Sequence, residues 1–131
     1  MTRRRALLAQ QAEEEELYPI GTNIITWSGY LAARDETKEI SRDTGELIAK
    51  ESVYGNGASG IYIPVSNKYA YQKNDNRILT LACYDKNKTY LGWFWINNLN
   101  YDPVVFLDGT KFIRLTFWAG ANLGIAITRI S

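Results

Sequence analysis

The sequence predicts an all-β domain of antiparallel strands, and three observations carry that expectation. Residues 78 to 96 place two runs rich in β-branched and aromatic residues on either side of one polar turn, Asp85-Lys86-Asn87-Lys88. Such runs suit a pleated, half-buried surface, and Asp and Asn accept turn conformations, so the stretch reads as a hairpin. From Leu17 onward, short apolar runs recur between clusters of Gly, Pro, Asn and Asp. That spacing fits about eight or nine short strands in a sandwich or barrel. The run Lys111 to Trp118 alternates so that Ile113, Leu115 and Phe117 share one wholly apolar face, the core face.

The elements follow in chain order. Residues 1 to 16 hold good helix formers with no Gly or Pro, but Arg3, Arg4 and Arg5 come first and Glu13 to Glu16 last. That order opposes the helix dipole, and Leu7 and Leu8 offer little apolar surface, so an isolated helix is marginal. The leader is expected to be a helical or extended docking tail (1–16) ahead of a β-domain (17–131). Tyr18 to Trp27 opens with a proline–glycine turn and is expected to continue into a strand. Arg42-Asp43-Thr44-Gly45 is a tight turn between strands Lys38 to Ile40 and Leu47 to Ala49. Tyr54 to Gly60 is expected to be a mobile loop, because its glycines free the backbone. Ile61 to Val65 is a strand, at an edge or bulge because Pro64 lacks a donor. Lys68 to Tyr71 is a further strand and Gln72 to Arg77 a loop. Beyond the central hairpin, Asn97 to Pro103 is a loop. Val104 to Leu107 and Lys111 to Trp118 form a second hairpin across Asp108-Gly109, and Ile125 to Ile130 is the last strand.

In the central hairpin, Leu79, Leu81 and Cys83 share a face. On the returning strand Leu91, Trp93 and Trp95 lie on one face, and Tyr90, Gly92, Phe94 and Ile96 on the other. With both faces apolar, that strand is expected to be central, or covered on one side by a second subunit.

Composition excludes several classes. With 131 residues and 46% of them hydrophobic, the chain can bury one self-sufficient core. A formal charge of +1 argues against nucleic acid as the main partner. The single cysteine, Cys83, lies in an apolar run and reads as a small buried hydrophobe. No segment is long enough for a membrane span, and Ala6 to Ala9 is too short for a signal-peptide core, so the expected site of synthesis is a cytoplasm. The chain holds no histidine, which removes Ser-His-Asp and Cys-His arrangements and histidine zinc sites.

Candidate chemistry is sparse. Asp35, Glu36, Glu39, Asp43 and Glu46 alternate with Arg34, Lys38, Arg42 and Lys50, the pattern of a solvated, charge-balanced surface rather than a paired-carboxylate site. Asp85-Lys86-Asn87 lacks the glycine and terminal glutamate of a calcium loop. The chain is therefore read as a non-enzyme with no cofactor and no metal. Aromatic residues beside amide-bearing loops remain, since a sugar offers an apolar C–H face and a rim of hydroxyls. The glycan-binding candidates are Asn98, Asn100, Tyr101 and Asp102; Trp118 with Asn122; and Tyr54 with Asn56.

Ile63-Pro64-Val65, a tyrosine-bearing strand, Tyr84-Asp85-Lys86-Asn87-Lys88 with its aromatic–glycine return, and Thr110 to Thr116 together resemble a β-sandwich module of bacteriophage tail and fibre proteins, with similar modules in gut bacterial surface proteins. The resemblance spans roughly residues 27 to 130. The leader is similar to the start of small structural proteins in phages of Gram-positive hosts. What this implies is an all-β, antiparallel, jelly-roll-like sandwich of the carbohydrate-binding-module kind, carried on a virion. The expected protein is a virion accessory, docked on other virion proteins through Arg3, Arg4, Arg5, Leu7 and Leu8. A homotrimer is expected to present the domain to host-surface carbohydrate. The alternative is a purely structural capsid or tail decoration protein with no ligand.

Overall fold

The computed structural model describes residues 17–51, 56–73, 78–96, 104–118 and 126–131. They form an antiparallel, sandwich-like all-β fold with one helical turn, α1 (Ile24–Trp27). The strands are β1 (Lys38–Ile40), β2 (Leu47–Ala49), β3 (Asn56–Gly57), β4 (Ile63–Pro64), β5 (Tyr71–Lys73), β6 (Ile78–Tyr84), β7 (Tyr90–Trp95), β8 (Phe112–Trp118) and β9 (Ile127–Arg129). Among the described residues, no helix is long and apolar enough to cross a membrane.

The main sheet runs β3-β8-β6-β7, with β4 also paired to β8. Residues opposite one another in antiparallel strands share a face, so the register sorts the side chains. Leu115, Leu81 and Phe94 form one row and Ile113, Cys83 and Gly92 the next. This inner face packs on Tyr18, Ile24, Ile25, Tyr30 and Leu31 from the first described segment, and on Tyr71 and Ile127 from the β5–β9 pair. The opposite face holds Thr116–Thr80–Trp95, Arg114–Ala82–Trp93 and Phe112–Tyr84–Tyr90. A second apolar cluster forms there, where Ile40 and Leu47 of the β1–β2 hairpin meet Ala58, Ala82 and Tyr84. The sheet is thus covered on both sides, and the expected core face of Ile113, Leu115 and Phe117 is fully buried.

Two bulges decide which side chains face which way. Leu79 is an extra residue against β8, so Ile78 joins Leu81 and Cys83 on the inner face. Leu91 is an extra residue against β6, between Gly92 opposite Cys83 and Tyr90 opposite Tyr84. It turns Tyr90 onto the face of Trp93 and Trp95, away from Phe94. Gly92 supplies the φ of +141° at that bulge, a conformation L side chains rarely adopt.

Several expected elements differ. The strand expected up to Trp27 is a helical turn, because the Asn23 side chain caps the Ile25 amide at 3.1 Å. The same carboxamide oxygen accepts from Ile127 of β9, which fixes the turn against the end of the chain. The strand expected at Lys68 to Tyr71 begins later, at Tyr71, because Ser66 holds residues 66–69 in a turn. Gln72 and Lys73, expected in a loop, pair with β9 instead. Val104 to Leu107 is not a strand. Val104 donates to the Tyr71 carbonyl, and β8 pairs with β6, β3 and β4. Within the expected mobile loop, Asn56 and Gly57 pair with the end of β8. Strand β7, expected to be central or covered on one side by a second subunit, is not central: among the described residues it lies at the sheet's edge. Pro64 does lie in an edge strand, as its missing donor requires.

Candidate functional site

The outer face of β7 is the surface on which chemistry converges. Its aromatic pair, Trp93 and Trp95, meets edge to face with ring centroids 5.3 Å apart. Trp95 is 50% exposed, a large apolar area to leave in water at a sheet edge. Arg42 reaches over from the β1–β2 turn, its guanidinium carbon 4.6 Å from the Trp93 ring centroid and 4.4 Å from that of Trp95. Stacks of this kind contribute about 0.5–1 kcal/mol at exposed sites.

The turn carrying Arg42 is built locally and then fastened to the sheet. The Ser41 hydroxyl accepts from the amides of Asp43 and Thr44, and the Ser41 amide closes the loop on Glu46. Gly45 adopts φ +72°, which brings its backbone so close to Tyr90 that a Cβ there would lie 2.4 Å from the ring. The Gly45 carbonyl accepts from the Tyr84 hydroxyl and from Arg114. The Tyr90 hydroxyl donates to the Arg42 carbonyl at 2.7 Å. Burial is the main reason the Tyr84 and Tyr90 phenols are pushed above the ordinary tyrosine range, so both stay neutral donors.

Two further cations lie on the same face. The Lys88 ammonium sits 5.0 Å from the Tyr62 ring centroid and 5.4 Å from that of Phe112. Arg114, 7% exposed, stacks 3.9 Å from the Tyr62 centroid and donates to the Gly60 carbonyl at 3.0 Å. Its Nε is buried with no hydrogen-bond partner. Among the described residues, the ion pair is Arg34–Glu36, and no carboxylate lies within 4.0 Å of Arg42, Lys88 or Arg114. Rings and carbonyls hold these cations in place of acids.

Two of the carboxylates weighed as chemistry, Asp35 and Asp85, serve turns. Asp35 Oδ1 accepts from the Thr37 amide and hydroxyl, bonds that hold its carboxyl below the usual range. Asp85 Oδ1 accepts from the amides of Asn87 and Thr89. Among the described residues, no three metal-ligating side chains cluster.

Of the glycan-binding candidates, Asn56 and Trp118 come together as a register pair across β3 and β8, at the sheet edge opposite β7. Tyr54, Asn98, Asn100, Tyr101, Asp102 and Asn122 lie outside the described residues, as do Arg3, Arg4, Arg5, Leu7 and Leu8 of the leader. Sequence reasoning missed Arg42, Trp93 and Trp95 as a site. The available signal was Gly92 inside an aromatic strand, since a glycine there marks a bulge or an edge. No family model, curated protein or solved structure matches the chain.

Proposed function

We propose that this chain is a bacteriophage virion accessory protein whose β-domain binds host-surface glycan. Residues 1 to 16 dock it on the particle, and copies assemble as a trimer. The observation that carries the binding half is the half-exposed Trp95 beside Trp93 on a strand that lies at the sheet edge among the described residues, with the Arg42 guanidinium close to both rings. An indole face left in solvent suits the C–H face of a sugar ring, and a fixed polar group beside it orients the hydroxyl rim. The virion half rests on the likeness of roughly residues 27 to 130 to phage tail and fibre modules, and on a leader that suits ordering on a partner.

Two measurements test it. Residues 17 to 131 alone, expressed during infection, are expected to stay out of purified particles while the full chain enters them. The Trp95→Ala variant is expected to lose retention on host cell-wall glycan. Normal incorporation of the truncated chain would remove the docking role. Undiminished retention of Trp95→Ala would remove the shelf. A second reading, a decoration protein without ligand, is supported by the uncharged sequence of β7, which suits pairing with a neighbouring subunit. It predicts particles that lose stability without the protein yet bind host glycan unchanged.

A further inference from the structure

We propose that the Trp93–Trp95 shelf selects anionic glycans: a sugar ring lies on the Trp95 indole, and its carboxylate or phosphate ester is taken by the Arg42 guanidinium. The inference rests on the glycan-binding reading above and adds the charge of the ligand to it.

The first argument is the state of Arg42. Its guanidinium carbon lies 4.6 Å and 4.4 Å from the centroids of the two indoles, and the residue is exposed. No carboxylate among the described residues pairs with it. A planar guanidinium beside an aromatic surface, with no carboxylate of its own, matches a carboxylate or phosphate in two parallel hydrogen bonds. The carbonyl of the same residue is fixed by Tyr90, which holds in place the backbone that carries the side chain.

The second argument is the lack of carboxylate partners for the cations on this face. Lys88 and Arg114 stand on the rings of Tyr62, Tyr84 and Phe112 without acids of their own. Asp43 and Glu46 are exposed on the same hairpin as Arg42, and neither pairs with it. The chain as a whole carries only +1. One exposed guanidinium on a nearly neutral chain is scaled to one or two anionic groups on a sugar rather than to a phosphate backbone.

Calorimetric titration of the full chain tests this with two matched pairs: oligogalacturonate against its methyl ester, and a phosphorylated mannan oligosaccharide against its dephosphorylated form. At least one acid form is expected to bind about tenfold more tightly than its neutral partner, with the advantage shrinking as salt rises. The pair that shows the difference identifies carboxylate or phosphate as the preferred group. Arg42→Gln is expected to erase the difference, Arg42→Lys to retain part of it, and Trp95→Ala to weaken acid and neutral forms alike. Near-ultraviolet circular dichroism checks that each variant is folded, and Arg42 lies exposed on a turn, where substitution spares the core. Equal affinity within both pairs, or a preference that survives Arg42→Gln, overturns the charge inference and leaves glycan binding standing. Binding of inorganic phosphate as tight as that of the phosphorylated glycan overturns the ring contact. Binding of no glycan by the wild-type chain overturns both readings.

Discussion

The Tyr30 hydroxyl and the Leu115 backbone exchange two hydrogen bonds across 85 positions of sequence: the phenol donates to the Leu115 carbonyl at 2.5 Å and accepts from its amide at 3.0 Å. The reason lies in the edge of β8. Asn56 and Gly57 pair with one end of that edge, and Ile63 and Pro64 with the other. Leu115 falls between them, where no strand runs. A buried peptide group left there without partners costs free energy, and one phenol, able both to donate and to accept, stands in for the missing strand.

Tyr30→Phe keeps the ring, its edge-to-face contact with Phe117 at 6.5 Å and its volume, and removes only the oxygen. Both Leu115 groups then lose this partner inside a fully buried region. The expected loss is about 2–4 kcal/mol of unfolding free energy, from about 1–3 kcal/mol for each unsatisfied buried group. Tyr90→Phe, whose hydroxyl bond is exposed, is expected to lose about 1 kcal/mol or less. Urea denaturation of the two variants compares them, and equal small losses would mean that water or a backbone shift replaces the phenol.

Alkaline pH should unfold the domain through the same kind of group. Burial pushes the phenols of Tyr30 and Tyr71 up to about 12. Below the ordinary tyrosine value both the folded and the unfolded chain hold these protons, and stability does not depend on them. Above pH 10 or so the unfolded chain releases them first, so stability falls until the folded phenols also ionise near pH 12. For Tyr30 the fall amounts to about 2–3 kcal/mol. Tyr18 and Tyr84 are also shifted upward by burial and act in the same direction. Tyrosinate absorbance and circular dichroism followed together are expected to show late-ionising tyrosines appearing only as structure is lost. Complete ionisation at about pH 10 with the fold intact would contradict this.

Cys83 reports on opening of the core. Its side chain is fully buried on the inner face between Leu81 and Ile113, and burial is the main cause that raises its thiol above the usual range. Both effects suppress the reactive thiolate. In native buffer near pH 8, a water-soluble disulfide reagent is expected to label it only at the rate of unfolding, and urea is expected to accelerate labelling steeply. Labelling within seconds without denaturant would place the thiol at a surface.

The alternation of Ile113, Leu115 and Phe117, the β1–β2 hairpin and the Asp85 turn could all be read from the chain, because each depends on local periodicity or on side chains that cap their own backbone. The parity of β7 could not. A single extra residue, Leu91, moves Tyr90 to the other face, and one sequence shows a glycine without showing which side of it bulges. The central position expected for β7 failed for a related reason: apolarity on both faces is equally the mark of a core strand and of an edge kept apolar for a ligand or a partner. Tyr30 and Arg42 were invisible as key residues, since each acts on a strand far along the chain, 85 positions away for Tyr30. The helical turn at Ile24 was hidden because its cap, Asn23, resembles an ordinary turn residue until β9 closes upon it.

Gly45→Ala joins stability to the candidate site. At φ +72° an alanine is strained whatever space surrounds it. Here its Cβ would also lie 2.4 Å from Tyr90 Cδ1 and 3.0 Å from Tyr90 Cβ, so the near part of a packed side chain would have to move. The two effects together are expected to cost about 2–3 kcal/mol. They also displace the turn that holds Arg42 over the indoles. Trp93 and Trp95 fluorescence should therefore change in the folded variant, and affinity for an acidic glycan should fall with it. Gly109→Ala, at φ +81° with no side chain closer than 4.0 Å to its Cβ, carries the backbone strain without the clash. It is expected to lose about 1 kcal/mol and to leave the tryptophan spectrum unchanged. If the two variants were equally destabilised and equally silent in fluorescence, the close approach of Gly45 to Tyr90 would not be what seats Arg42 on its shelf.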